Sequence, residues 1–120
     1  MPNLEEIILV AEDCPISSSE APPLGDKKTI ARIDYEVLIE NPYVFNEREF
    51  FKKVHYEQRK RFDLKIETYN IKRSSVVQTY GWGVHRNREG KLALIPMESA
   101  EYKKLQETIK NTKSYRKKKI

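Results

Sequence analysis

The stretch YGWGVHRNREGKLAL, Tyr80 to Leu94, sets the only Trp of the chain between two glycines. Its reading decides the fold. Gln78 to His85 and Lys91 to Met97 are rich in apolar and β-branched residues, and both read as strands. Arg86-Asn87-Arg88-Glu89-Gly90 between them reads as a hairpin loop with its Gly near the end. Pro96 marks the exit of the second strand. In a strand, Tyr80, Trp82 and Val84 point one way while Gly81, Gly83 and His85 point the other. Two arrangements follow. Trp82 can lie in the core beneath helices, the glycines making room for a helix or a bulge. Alternatively the glycine face is a flat site, where a ligand or a second backbone approaches closely and His85 stands at the end.

Working toward the N-terminus, Leu4 to Val10 reads as a short apolar strand that stops before Cys14-Pro15. Ser17 to Gly25, with Pro22 and Pro23, is a loop. Asp26 is placed as a helix N-cap, and Ile30, Ile33, Val37 and Leu38 fall on one helical face. The rival reading is a strand, since Ile33, Tyr35, Val37 and Ile39 alternate with charged Asp34 and Glu36. Length and the cap favour the helix. Pro42 ends it near Asn41. Asn46-Glu47-Arg48-Glu49 has the form of a capping box, so a helix is expected from Glu47 to about Lys60. Phe51, Val54, His55, Gln58 and Phe62 lie near one stripe of it, which makes His55 a helix-face residue near the core edge.

Leu64 to Arg73 alternates loosely and is expected as a strand. Beyond the hairpin, Glu98 or Ser99 starts a helix to about Lys110, with Tyr102, Leu105, Gln106 and Ile109 at helical spacing. The sum is a single α+β domain over residues 1 to 110. A small antiparallel sheet of three or four strands carries two or three helices on one face. Residues 111 to 120 read as a basic, disordered tail.

With 120 residues, the chain suits one domain with its own core. A single cysteine, Cys14, excludes an internal disulfide framework and a thiolate zinc site. No metal and no cofactor are expected. The N-terminal apolar run is too short and too acidic for a signal peptide, and no run spans a membrane. A cytoplasmic location is the expectation. Net charge is +5, unevenly spread. Residues 1 to 26 carry six carboxylates and no Lys or Arg, while residues 101 to 120 carry eight cations against Glu101 and Glu107.

Three functions are compatible with this pattern. A binding module would use the turn Lys72, Arg73, Ser74 and Ser75 just before the Trp strand and Arg86 and Arg88 in the loop just after it. With Trp82 and His85 these would frame a basic surface for an unknown anionic ligand, a phosphate or carboxylate, or for a protein partner. A nucleic-acid-binding protein would use the lysine-rich C-terminus and sheet aromatics, although no helix-turn-helix, zinc-finger or RNA-recognition signature appears. An enzyme would pair Cys14 with His85 as nucleophile and base. The carboxylates Glu12 and Asp13 oppose a reactive thiolate there, and Cys14 reads more readily as a small residue at a strand end. An exposed sheet edge also allows a homodimer.

The order VAEDCP (Val10 to Pro15), GDKKTIA (Gly25 to Ala31), ENPY (Glu40 to Tyr43), YGWGVH (Tyr80 to His85), EGKLAL (Glu89 to Leu94) and ESAEYKKL (Glu98 to Leu105) resembles a family of small bacterial proteins known only as a domain of unknown function. The likeness runs from Leu9 to Leu105. It implies a shared fold and a bacterial or phage-like cytoplasmic origin, and no activity. The chain departs from the family pattern in two ways. Phe62 to Ser75 is shorter, and Asn70-Ile71 stand where a second Cys is expected, which argues against dithiol chemistry.

Overall fold

The computed structural model describes residues 5–23 and 29–113. Strand β1 (Glu6–Leu9) is followed by a long loop and helix α1 (Ile30–Glu40). The Asp26 cap lies outside the described residues. Thr29 caps α1, its hydroxyl accepting from the Arg32 N–H at 3.2 Å. Asn46 and Glu49 form the expected capping box of α2 (Glu47–Phe51), with reciprocal bonds of 2.8 and 3.0 Å. The helix then widens into a π-helical stretch, Lys52–Gln58, and closes at Lys60, whose φ is +56°.

Leu64 to Arg73 is not a strand. It forms two single 3₁₀ turns, Ile66–Thr68 and Ile71–Arg73, followed by a short helix α3 (Ser75–Gln78). Asn70 and Ser74 explain the difference. Each turns its side-chain oxygen onto a backbone N–H two residues ahead, and such local bonds compete with a strand ladder. Strands β2 (Trp82–Arg86) and β3 (Leu92–Pro96) make the expected hairpin. Helix α4 (Ala100–Thr108) is capped by Ser99 and leads into β4 (Lys110–Lys113). Asn111 to Lys113, expected in the tail, therefore belong to the sheet. Residues 114–120 lie outside the described residues.

The sheet has the order β3-β2-β1-β4, with β1 antiparallel to β2 and parallel to β4. The α+β class and the strand number are as the sequence implies, and β4 makes the sheet mixed. Strand alternation places Ile8, Trp82, Val84, Leu92 and Leu94 on one face. They pack with Leu38, Phe50, Val54, Ile71, Val76 and Val77 into the main core. The opposite face is not wet. Ile7, Ala93 and Ile95 are buried there, and α4 covers it through Tyr102. A Cβ on Gly83 would come within 2.5 Å of the Tyr102 ring. The same ring's hydroxyl accepts from the Val10 N–H at 3.0 Å.

Candidate functional site

Trp82 is buried at 8% exposure, and its indole N–H donates to the Glu20 carbonyl at 2.8 Å. Tyr35 packs on it with ring centroids 5.5 Å apart. The flanking glycines have separate duties. Gly81 takes φ +76° where Met97 and the Ser18 backbone crowd it, and Gly83 admits Tyr102. His85, on the α4 face, has both ring nitrogens engaged. Glu5 accepts from Nε2 and the Tyr43 hydroxyl meets Nδ1, each at 2.7 Å. Arg86 lies on the core face, where it bridges Glu6 and Glu47. Arg88 is exposed, 3.9 Å from Glu5. Cys14 directs its thiol at the Thr79 carbonyl at 3.4 Å, while the nitrogens of His85 are turned to Glu5 and Tyr43. Lys72 and Arg73 stand on the 3₁₀ turn before α3, whose Ile71 N–H is held by Glu47, a partner of Arg86.

A different place concentrates the unusual chemistry. On α1, Asp34 falls on the same stripe as Ile30, Val37 and Leu38 and is 3% exposed. Its Oδ2 accepts from the Ser74 hydroxyl at 2.8 Å. Its Oδ1 is buried and has no hydrogen-bond partner among the described residues. A buried carboxylate oxygen without a donor is costly. Burial pushes the Asp34 pKa up to about 7, against the opposing pull of the Ser74 bond and the Arg59 charge.

Facing it from the π-helical stretch is His55, 1% exposed. Its ring lies near-parallel to Phe51 (centroids 5.9 Å, 8°) and to Tyr69 (4.2 Å, 27°). The Arg59 guanidinium contacts His55 Nδ1 at 2.7 Å. A guanidinium can only donate, so Nδ1 accepts and the imidazole proton resides on Nε2. Burial, then the charges of Arg59 and Arg61, hold the His55 pKa down at about 4. The imidazole is therefore neutral at physiological pH. Insertions of π-helix are rare and concentrate at functional sites.

Asp34, Phe51, His55, Tyr69, Arg73 and Ser74 line a cavity of about 390 Å³, with Ile30 at its side. That volume is within the range of small-molecule sites. A second hollow of about 410 Å³ lies across Phe51, Ile66 and Tyr69. Its Glu47 is held by Arg86 and by the Ile71 N–H, and its Arg48–Glu67 pair is exposed at 3.8 Å, so it lacks a comparable buried group. Of the residues that the binding reading of the sequence named, Arg73 lines the Asp34 cavity, with Ser74 and Ser75 of the same turn. Sequence reasoning missed Asp34, a mere charge in the rival strand reading of α1, and placed His55 on a helix face. The signal that could have found both is a titratable residue on an apolar stripe of each of two successive helices. Tyr69 carried no such signal, because the turn that places it follows local polar bonds.

Among the described residues no group of three or more His, Cys, Asp and Glu is placed to hold a metal, and no helix is long and apolar enough to cross a membrane. The molecule is thus a small α+β fold with a cavity between its helical layer and its 3₁₀ turns. The family model described as "Family of unknown function (DUF6157)" matches residues 2–120, and the chain belongs to that family. No curated protein and no solved structure matches it.

Proposed function

We propose that the domain is a small-molecule-binding module whose ligand occupies the cavity at Asp34. The observation that carries this reading is the buried Asp34 oxygen that no donor among the described residues meets. Perturbed carboxylates in cavities concentrate at functional sites, where binding and proton transfer use the shifted group. The proposal keeps the binding reading of the sequence and moves it from the Trp82–His85 strand to the α1–α3 side. Trp82, His85 and Arg86 are engaged within the protein, and none of them lines the Asp34 cavity. Polyanion binding by residues 114–120 and the sheet aromatics remains the competing reading.

The test is a metabolite and fragment screen read by amide chemical shifts of the ¹⁵N-labelled protein. Hits are expected to move the amides of Asp34, His55, Tyr69 and Ser74, and to lose affinity in Asp34→Asn. A screen whose hits all map to the Trp82–His85 strand would refute the proposal. A second reading rests on the same carboxylate. A pKa of about 7 suits a general acid or base at neutral pH, so compounds that bind are also followed for chemical change.

A further inference from the structure

We infer that Tyr43, His85 and Glu5 form a second, reactive site, in which the Tyr43 hydroxyl accepts an acyl group from a neutral activated ester. None of the three lines the Asp34 cavity, so the inference stands apart from the binding reading. Three parts of the chain bring them together. Glu5 directly precedes β1, Tyr43 follows α1, and His85 lies on β2. His85 Nε2 meets Glu5 Oε2, and His85 Nδ1 meets the Tyr43 hydroxyl, each at 2.7 Å. An ionised carboxylate only accepts, so Nε2 carries the proton of the neutral ring and Nδ1 accepts from the phenol. A hydroxyl resting on a base that a carboxylate holds in one tautomer is the recurring layout of an activated nucleophile. Sequence reasoning paired His85 with Cys14; the fold puts a different nucleophile on the same base.

The surroundings select the nucleophile and its substrate. The imidazole is buried, whereas Tyr43 is 36% exposed, which makes the tyrosine rather than the base the point of contact. Tyr43 has φ +59°, a left-handed conformation that is strained for a bulky side chain, and such strain clusters where it aims a functional group. The Tyr43 N–H donates to the Leu92 carbonyl at 2.9 Å, and the ring meets the imidazole edge-on, at 85° with centroids 5.4 Å apart. Burial, then the charges of Glu101 and Glu5, push the Tyr43 pKa up. The phenol therefore does not ionise by itself at neutral pH, and its proton leaves only as His85 takes it. The same two carboxylates repel a phosphoryl donor, and exposed Val44 gives the tyrosine an apolar neighbour in the chain. A neutral acyl donor fits both. In the step, Tyr43 Oη bonds to the carbonyl carbon while its proton moves to His85 Nδ1. The C–O bond of the ester breaks, and the imidazolium gives that proton to the departing oxygen. Water then attacks the acyl-tyrosine, and its proton passes through Nδ1 to the phenol oxygen as the acid leaves.

The full-length protein is treated with p-nitrophenyl acetate, and with p-nitrophenyl phosphate as the anionic comparison, and the label is followed by intact mass and peptide mapping. Acetyl is expected on Tyr43 ahead of the other tyrosines. The charges beside the pair are Glu5, Glu101 of α4 and Arg88, which lies 3.9 Å from Glu5. With His85 as the base, the labelling rate should level off once the imidazole is neutral, whereas an unassisted phenol gains about tenfold per pH unit across the neutral range. Tyr43→Phe should remove the label. His85→Gln should slow it about 100-fold or more. Glu5 is a positioning residue, and Glu5→Gln should slow labelling at least about tenfold by releasing the tautomer. Amide spectra show whether each variant is folded; if His85→Gln is not, Glu5→Gln and the pH profile carry the test. Acetyl spread over the lysines or the other tyrosines, a rate that climbs with pH throughout, or a folded Glu5→Gln labelled as fast as the native chain overturns the relay. Faster reaction with p-nitrophenyl phosphate overturns the acyl assignment.

Discussion

Asp34 sets the pH response of the fold at its own scale. Its carboxyl titrates at 3.8 when unfolded and at about 7 in the native protein. The folded state therefore holds the proton more tightly, so the stability gained from this group is complete below pH 4 and is lost as pH rises toward 7. The difference is on the order of 4 kcal/mol. His55 works in the other direction. Its native pKa of about 4 lies below the usual 6.5, so its contribution is present above pH 6.5 and is lost as pH falls toward 4. Between pH 4 and 6.5 the two effects oppose each other. Asp34→Asn should raise stability at pH 8 by about 1–3 kcal/mol, and should make unfolding more acid-sensitive below pH 6.5. Urea unfolding followed by Trp82 emission at pH 5, 6.5 and 8 measures both. A variant that is destabilised at pH 8 would mean that Asp34 is a structural group. At Gly83, the added methyl of an Ala would strike the Tyr102 ring at 2.5 Å and the Ile8 carbonyl at 3.2 Å. Gly83→Ala should cost about 1–3 kcal/mol. Removing the ring as well, in Gly83→Ala/Tyr102→Ala, should give a loss smaller than the sum of the two single losses.

Between elements, polar side chains supply several of the joints. Arg86 of β2 reaches both Glu6 of β1 and Glu47 at the start of α2, and Glu47 also accepts from the Ile71 N–H of the second 3₁₀ turn. One guanidinium thus ties the sheet to the helix, and the helix holds the turn that precedes the Asp34 cavity. Arg86→Ala leaves two carboxylates facing each other in a half-buried place. It should cost about 2–3 kcal/mol, between the values for exposed and buried pairs. Thermal unfolding checks this, with Glu6→Gln/Arg86→Ala expected to recover part of the loss. The elements that follow side-chain periodicity were legible in sequence: the hairpin, α1, the capping box of α2 and the Ser99 cap of α4. The Ile66–Thr68 and Ile71–Arg73 turns were not, since Asn70 and Ser74 override a loosely alternating pattern with bonds to their own backbone. The candidate site was largely missed. Asp34 and His55 interrupt apolar stripes, a readable irregularity, but only the folded chain brings them to one cavity with Ser74, Tyr69 and Arg73. The Arg86 network was hidden for the same reason, because its partners stand 39 and 80 residues away.

Across the whole molecule, the two ends of the described chain meet side by side. β1 lies inside the sheet only because β4 covers its outer edge in parallel register, from Glu6 opposite Lys110 to Leu9 opposite Lys113. The sequence of β4, Lys-Asn-Thr-Lys, has no apolar alternation, so its strand character comes from the partner. Thr112 donates to Glu6, and Lys113 contacts Glu12 at 2.7 Å. The outer border of the sheet is thus lysine-bearing and mostly exposed, a recognised guard against strand-to-strand association. A chain ending at Ile109 would lose that guard. Glu6-Ile7-Ile8-Leu9 would then become a border strand of high β propensity, open to pairing with its counterpart in another molecule. Such a truncation should sediment as soluble oligomers or precipitate rather than simply melt at a lower temperature, as size-exclusion chromatography over a concentration series would reveal. For a ribosome making this protein, the consequence is temporal: β1 stays without its cover until the far-off Lys110–Lys113 segment has been made.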